Sequence, residues 1–170
     1  MISNISDKEL KSIKRSLPDL KKIIEEDVSF LDNGIYKKIY VSVFDHWLTR
    51  DEADKLIFVD DDKNELQKRR EKFEKLIENL YNSTDIYFWK YKRKSRVFIQ
   101  KPLTYNDLLK KCDFNNLCSQ SGKRYSVILP EYSAIYNEEW DWTNIFWYRD
   151  EMKIKPILET VEKAGLHILR

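Results

Sequence analysis

Three carboxylates crowd into four positions at Glu138, Glu139 and Asp141. Acids this close in sequence can couple and divide acid and base roles between them. Glycoside chemistry would also need a groove, which nothing in the sequence signals, and adjacent acids in a turn are ordinarily solvated. The two histidines, His46 and His167, lie far apart with no His or Cys at zinc-ligand spacing. His46 could serve as a general base only with partners drawn from elsewhere in the fold. Asp60, Asp62, Asn64 and Glu71 match four positions of a calcium-loop template. Glu65 occupies the place where that loop needs glycine, so the acids are better read as the start of a helix. Three glycines, Gly34, Gly122 and Gly165, stand alone, and neither a dinucleotide fingerprint nor a P-loop can be written with them. Cys112 and Cys118 form no Cys-x-x-Cys pair and read as reduced thiols. A non-enzymatic chain is expected, with no metal and no cofactor.

The densest chemical pattern is instead 131–151, where acids and large aromatics alternate. Six carboxylates stand there against a single cation, Arg149. Glu131, Glu138, Glu139, Trp140, Asp141, Trp142, Trp147 and Asp150 are the expected partner-binding set. Rigid aromatics give large contact area at low entropy cost, and a negative rim steers a basic partner. Phe146, Trp147 and Tyr148 in succession place a large aromatic on both faces of any strand, so one face must find a second covering layer or a partner. The competing signal is basic. Trp89, Lys90, Tyr91, Lys92, Arg93, Lys94 and Arg96 combine five cations with two aromatics and no acid. That pattern suits phosphate contacts and base stacking, although lysines also protect hairpin tips and edge strands from aggregation. Nucleic-acid binding is therefore the alternative reading.

These residues need elements to position them. Ser6 with Glu9 makes a capping box, and Leu10, Ile13, Leu17, Leu20 and Ile24 then recur on one helical stripe, which Pro18 should kink or divide. That stripe is expected to pack on the domain's own sheet. A strand is expected over 35–44, a helix over 63–81, and a hairpin from 86–91 and 96–100. A short helix capped by Thr104 follows, then strands over 124–129, 133–136 and 144–148. A helix over 151–164, capped by Gly165, leads to an edge strand over 166–169. Hairpins segregated from helices predict a single α+β domain spanning 1–170, with a largely antiparallel sheet covered by helices on one face.

Composition agrees with a packed domain: 42% of the 170 residues are hydrophobic and 35% charged, with a net charge of only +2. Met1–Asp7 shows no basic region followed by an apolar core, and no apolar run approaches membrane-spanning length. A cytoplasmic location without membrane contact is expected. The C-terminal quarter carries Val127-Ile128-Leu129-Pro130-Glu131, the acidic-aromatic strands, Ile-Lys-Pro-Ile-Leu at 154–158 and Gly165-Leu166-His167-Ile168-Leu169. In these features it resembles small bacterial immunity proteins of polymorphic-toxin and contact-dependent growth inhibition systems. The resemblance implies a toxin inhibitor acting by protein–protein interaction on a cognate protein toxin, frequently a basic nuclease.

Overall fold

The computed structural model describes residues 2–20, 22–23, 34–59, 62–92, 96–112 and 125–170. Their order is β1 (Ile2–Asn4), α1 (Asp7–Ser16), β2 (Lys37–Ser42), α2 (Arg50–Leu56), α3 (Lys63–Ser83), β3 (Tyr87–Lys92), β4 (Arg96–Pro102), α4 (Tyr105–Leu109), β5 (Ser126–Leu129), β6 (Ala134–Asn137), β7 (Thr143–Tyr148), α5 (Glu151–Lys163) and β8 (His167–Leu169). The chain is an α+β protein, and its described residues form one eight-stranded sheet in the order β1-β4-β3-β5-β6-β7-β2-β8. Every neighbouring pair is antiparallel.

Alternation along the strands sorts the core into two layers. Phe88, Val127, Tyr136, Phe146 and Ile39 share one face, where they meet Phe73, Leu76 and Ile77 of α3, Leu108 of α4 and Ile154 and Ile157 of α5. Their register neighbours Tyr87, Ile128, Ile135 and Trp147 point the other way. There they pack with Ile13, Leu17, Leu20 and Ile23. The expectation of helices on one face is thus refined: α2 to α5 cover one side, while α1 and the helical residues Leu20 and Ile23 after it cover the other. The cause is the Phe146-Trp147-Tyr148 run, whose second apolar face is buried by the chain's own N-terminal stripe.

Local chemistry sets the ends of these elements. Ser6 Oγ accepts from Glu9 N–H at 3.3 Å while Glu9 Oε2 accepts from Ser6 N–H at 2.8 Å. The helix stops at Ser16 because the residue preceding Pro18 is pushed out of helical geometry; Leu17 sits at φ −129° and ψ 78°. Ion pairs then pin this layer to the sheet. Lys101 Nζ lies 2.6 Å from Asp85 and 3.7 Å from Glu9, and Arg149 lies 3.8 Å from Asp19. No described helix is long and apolar enough to cross a membrane. The proposed stripe member Ile24 and the hairpin tip 93–95 lie outside the described residues.

Candidate protein-binding corner

β6 and β7 are joined by a short turn at 138–142, and its geometry is set by Trp142. That residue has φ +63°, the left-handed region that a bulky side chain rarely enters. Strain of this kind costs about 1–3 kcal/mol. Burying an indole of about 200 Å² at about 25 cal/mol per Å² contributes up to about 5 kcal/mol in the opposite direction. Trp142 is fully buried and its Nε1–H donates to the Ile57 carbonyl at 2.9 Å. Its ring stacks on Phe73, with centroids 6.5 Å apart and planes inclined at 23°. The surrounding hydrogen bonds hold the backbone in place. Val43 N–H and Ser42 Oγ both reach the Trp142 carbonyl at 3.3 Å. Thr143 N–H donates to Asp141 Oδ1 at 3.1 Å, and Glu139 N–H donates to Asn144 Oδ1 at 2.8 Å.

The other half of the corner comes from α2. Thr49 and Glu52 form its capping box, and its last carbonyls need partners. Arg69 Nη1 supplies one to Leu56 at 2.6 Å, and Trp142 supplies the next, to Ile57. Arg69 is itself buried. It is held by Glu65 at 2.9 Å and lies over the rings of Phe44 and Trp142 at 5.2 and 5.6 Å. This bracing brings Phe58 beside Trp140, stacked at 6.1 Å and 24°. Phe58 is 47% exposed, Trp140 is partly buried, and Glu139 and Asp141 flank it. An aromatic pair bordered by carboxylates therefore sits at the end of the sheet.

The structure divides the expected partner-binding set. Glu139, Trp140 and Asp141 stand together at the corner. Trp142 and Trp147 are corrected to core residues at 0% and 4% exposure: Trp142 anchors the turn, and Trp147 faces the α1 layer. Glu138 is corrected too. It is buried at 1%, its N–H donating to the Tyr125 carbonyl at 3.1 Å, and its charge adds to the burial that pushes the Cys112 thiol upward. Glu131 and Asp150 are corrected by position, since they lie at the opposite ends of β6 and β7. Glu131 accepts from Thr84 Oγ1 at 3.0 Å, and Asp150 caps α5 through Met152 N–H at 2.9 Å.

In the alternative basic set, β3 and β4 pair as expected, and Trp89 is partly buried against the α1 layer. The side chains of Lys90, Tyr91, Lys92 and Arg96, and all of Arg93 and Lys94, lie outside the described residues. Of the calcium-template residues, Asp62 serves as the α3 N-cap, accepting from Asn64 and Glu65 N–H at 3.1 and 3.0 Å. Among the described residues no group of three or more His, Cys, Asp or Glu is placed to hold a metal ion. His46 is exposed between Asp45 at 2.6 Å and Glu52 at 3.3 Å. Hydrogen bonding to Asp45, then to Glu52, raises its pKa.

Phe58 and Arg69 were not foreseen as site residues. The Thr49-x-x-Glu52 box before Leu56-Ile57-Phe58 was the available signal for α2, but nothing local tells which carbonyls Arg69 and Trp142 will reach. Compared with protein-family models, curated proteins and solved structures, the chain matches none.

Proposed function

We propose that this chain is a non-catalytic binding protein, a stoichiometric inhibitor of the immunity type. It captures a basic protein toxin through the Phe58–Trp140 pair with Glu139 and Asp141. The observation that carries this reading is the turn at 138–142. A strained backbone is held by a buried indole and several hydrogen bonds, and the outcome is a rigid, partly exposed aromatic pair beside two carboxylates. Preorganised aromatics of this kind act as hot spots, because little side-chain entropy is lost on contact. Carboxylates at the rim raise the association rate with a cationic surface and disfavour acidic partners.

The test is co-expression with the polypeptide encoded immediately upstream, followed by size-exclusion chromatography and calorimetric titration. Wild type should form a one-to-one complex. Phe58→Ala with Trp140→Ala should weaken it about 30-fold or more, in line with a loss of at least about 2 kcal/mol at a hot spot. Glu139→Lys should slow association most strongly at low salt. Because Asp141 also caps Thr143, Asp141→Asn is the cleaner change there than reversal to lysine. An unchanged affinity in the folded double variant removes the site assignment.

A further inference from the structure

α1 divides its charges by direction. Glu9 turns back to Ser6 N–H at 2.8 Å and toward Lys101, 3.7 Å away on the sheet. Asp7 opens the first turn. The cations point outward: Lys8, Lys11, Lys14 and Arg15 are all exposed. Neither they nor Asp7 form an ion pair among the described residues, whereas Lys37, Arg69, Lys101 and Arg149 each meet a carboxylate. At roughly 100° per residue, Lys8, Lys11 and Arg15 fall within about 60° of one another, on the side away from the buried Ile13. The helix dipole accounts for Lys14 and Arg15 in the last turn. It gives no reason for Lys8 in the first turn or Lys11 in the middle. A face built for solvation alone gains from opposite charges four positions apart, yet Asp7 and Lys11 stay unpaired.

We propose that the Lys8–Lys11–Arg15 stripe binds the phosphate backbone of a nucleic-acid duplex. The stripe is about 10 Å long at about 1.5 Å per residue, and each strand of a duplex carries a phosphate about every 3.4 Å. Three cations thus meet about three phosphates. α1 exposes no large hydrophobic side chain, and this decides among occupants. Protein partners and membranes anchor through apolar or aromatic groups, and single strands stack their bases on aromatics. Duplex phosphates need only cations on long stems, and such contacts carry no sequence preference. One flank of α1 limits the surface. There Ser12 and Ser16 line a cleft of about 190 Å³ together with Asp85 and Glu131, whose carboxylates repel phosphates and confine the duplex to the outward stripe. α1 covers the opposite side of the sheet from α2 and the Phe58–Trp140 corner, so this surface stands or falls separately from the proposed inhibitor site.

The test uses the whole chain and a short fluorescein-labelled DNA duplex, with binding read by anisotropy; a matching RNA duplex tells which nucleic acid is preferred, and binding of either supports the proposal. Three phosphate contacts give a log–log salt slope of about −2.7, so affinity should fall about fortyfold between about 50 and 200 mM salt. Lys8→Gln with Lys11→Gln and Arg15→Gln should bring the slope near zero. Thermal melts should not change, because Gln suits a helix about as well as Lys or Arg. Lys8→Gln alone should lower the slope by about 0.9. Lys155→Gln with Lys163→Gln, on α5 across the sheet, should leave it unaltered. No binding to either duplex overturns the proposal, as does a slope that the triple variant keeps or that the α5 pair lowers equally. Tighter binding of single-stranded oligothymidine, equal binding of polyglutamate, or capture by phosphatidylserine vesicles without duplex binding also overturns it, since the occupant would then be a single strand, an acidic protein or a membrane.

Discussion

The two ends of the β2–β7 ribbon contrast in how they handle exposure. At the Ser42–Thr143 end the chain leaves regular geometry: Trp142 takes a left-handed conformation, its indole goes inward, and Trp140 turns outward onto Phe58. At the Lys37–Tyr148 end both strands stay in regular register, and β8 pairs only with Tyr40, Val41 and Ser42. The first end is aromatic, acidic and braced from several sides. The second is cationic, and its Lys37 is paired with Glu151. Strong local constraint thus accompanies the proposed hot spot, while the other end keeps regular pairing and carries its charge around the start of α5.

Substitutions can separate the two ends. The largest effect is expected for Trp142→Ala, which empties the core beneath the turn and should cost about 3–5 kcal/mol in denaturant unfolding; a loss near zero would mean the anchor is unimportant. Arg69→Ala follows. It leaves the Leu56 carbonyl without its donor and should cost about 2 kcal/mol. It should also loosen 56–58, seen as faster hydrogen exchange there. Trp140→Ala removes only a partly exposed stacked ring, so about 1 kcal/mol of stability is expected alongside a large loss of partner binding. Lys37→Gln breaks an exposed pair with Glu151 and should leave the denaturant midpoint essentially unchanged.

The smallest effect concerns pH. His46 has a raised pKa, so its contribution is fully present below its unfolded value near 6.5 and is lost as pH rises through the higher folded value. Asp45 and Glu52 have lowered values, from the His46 hydrogen bond and the Thr49 backbone hydrogen bond respectively. Their contribution is present above the ordinary carboxylate range and is lost in acid. Protection of α2 amides should therefore be greatest at mildly acidic pH and decline toward alkaline pH. His46→Gln should flatten the alkaline side.

Periodic parts of the molecule were readable because each residue's partner follows from its neighbours. Ser6 and Glu9 announced a helix start, Pro18 its division, and Phe146-Trp147-Tyr148 the need for two apolar faces. The corner resisted because turns escape alternation. Trp140 and Trp142 share chemistry and strand parity, yet one stacks at the surface and the other fills the core. What separates them is a backbone angle and an indole hydrogen bond to Ile57, 85 positions away. Short-range composition likewise grouped Glu131 and Asp150 with the corner, although four-residue β6 and six-residue β7 carry them to the opposite end.

The inward Trp142 and outward Trp140 can be measured without any partner. Fluorine NMR of the 5-fluorotryptophan-labelled chain, assigned by single Trp→Phe variants, reports solvent contact at each indole through its shift between H2O and D2O. The account predicts a shift for Trp140 and a larger one for Trp47, which is 50% exposed, with none for Trp142 or Trp147. A Trp142 resonance as solvent-sensitive as that of Trp140 would contradict it.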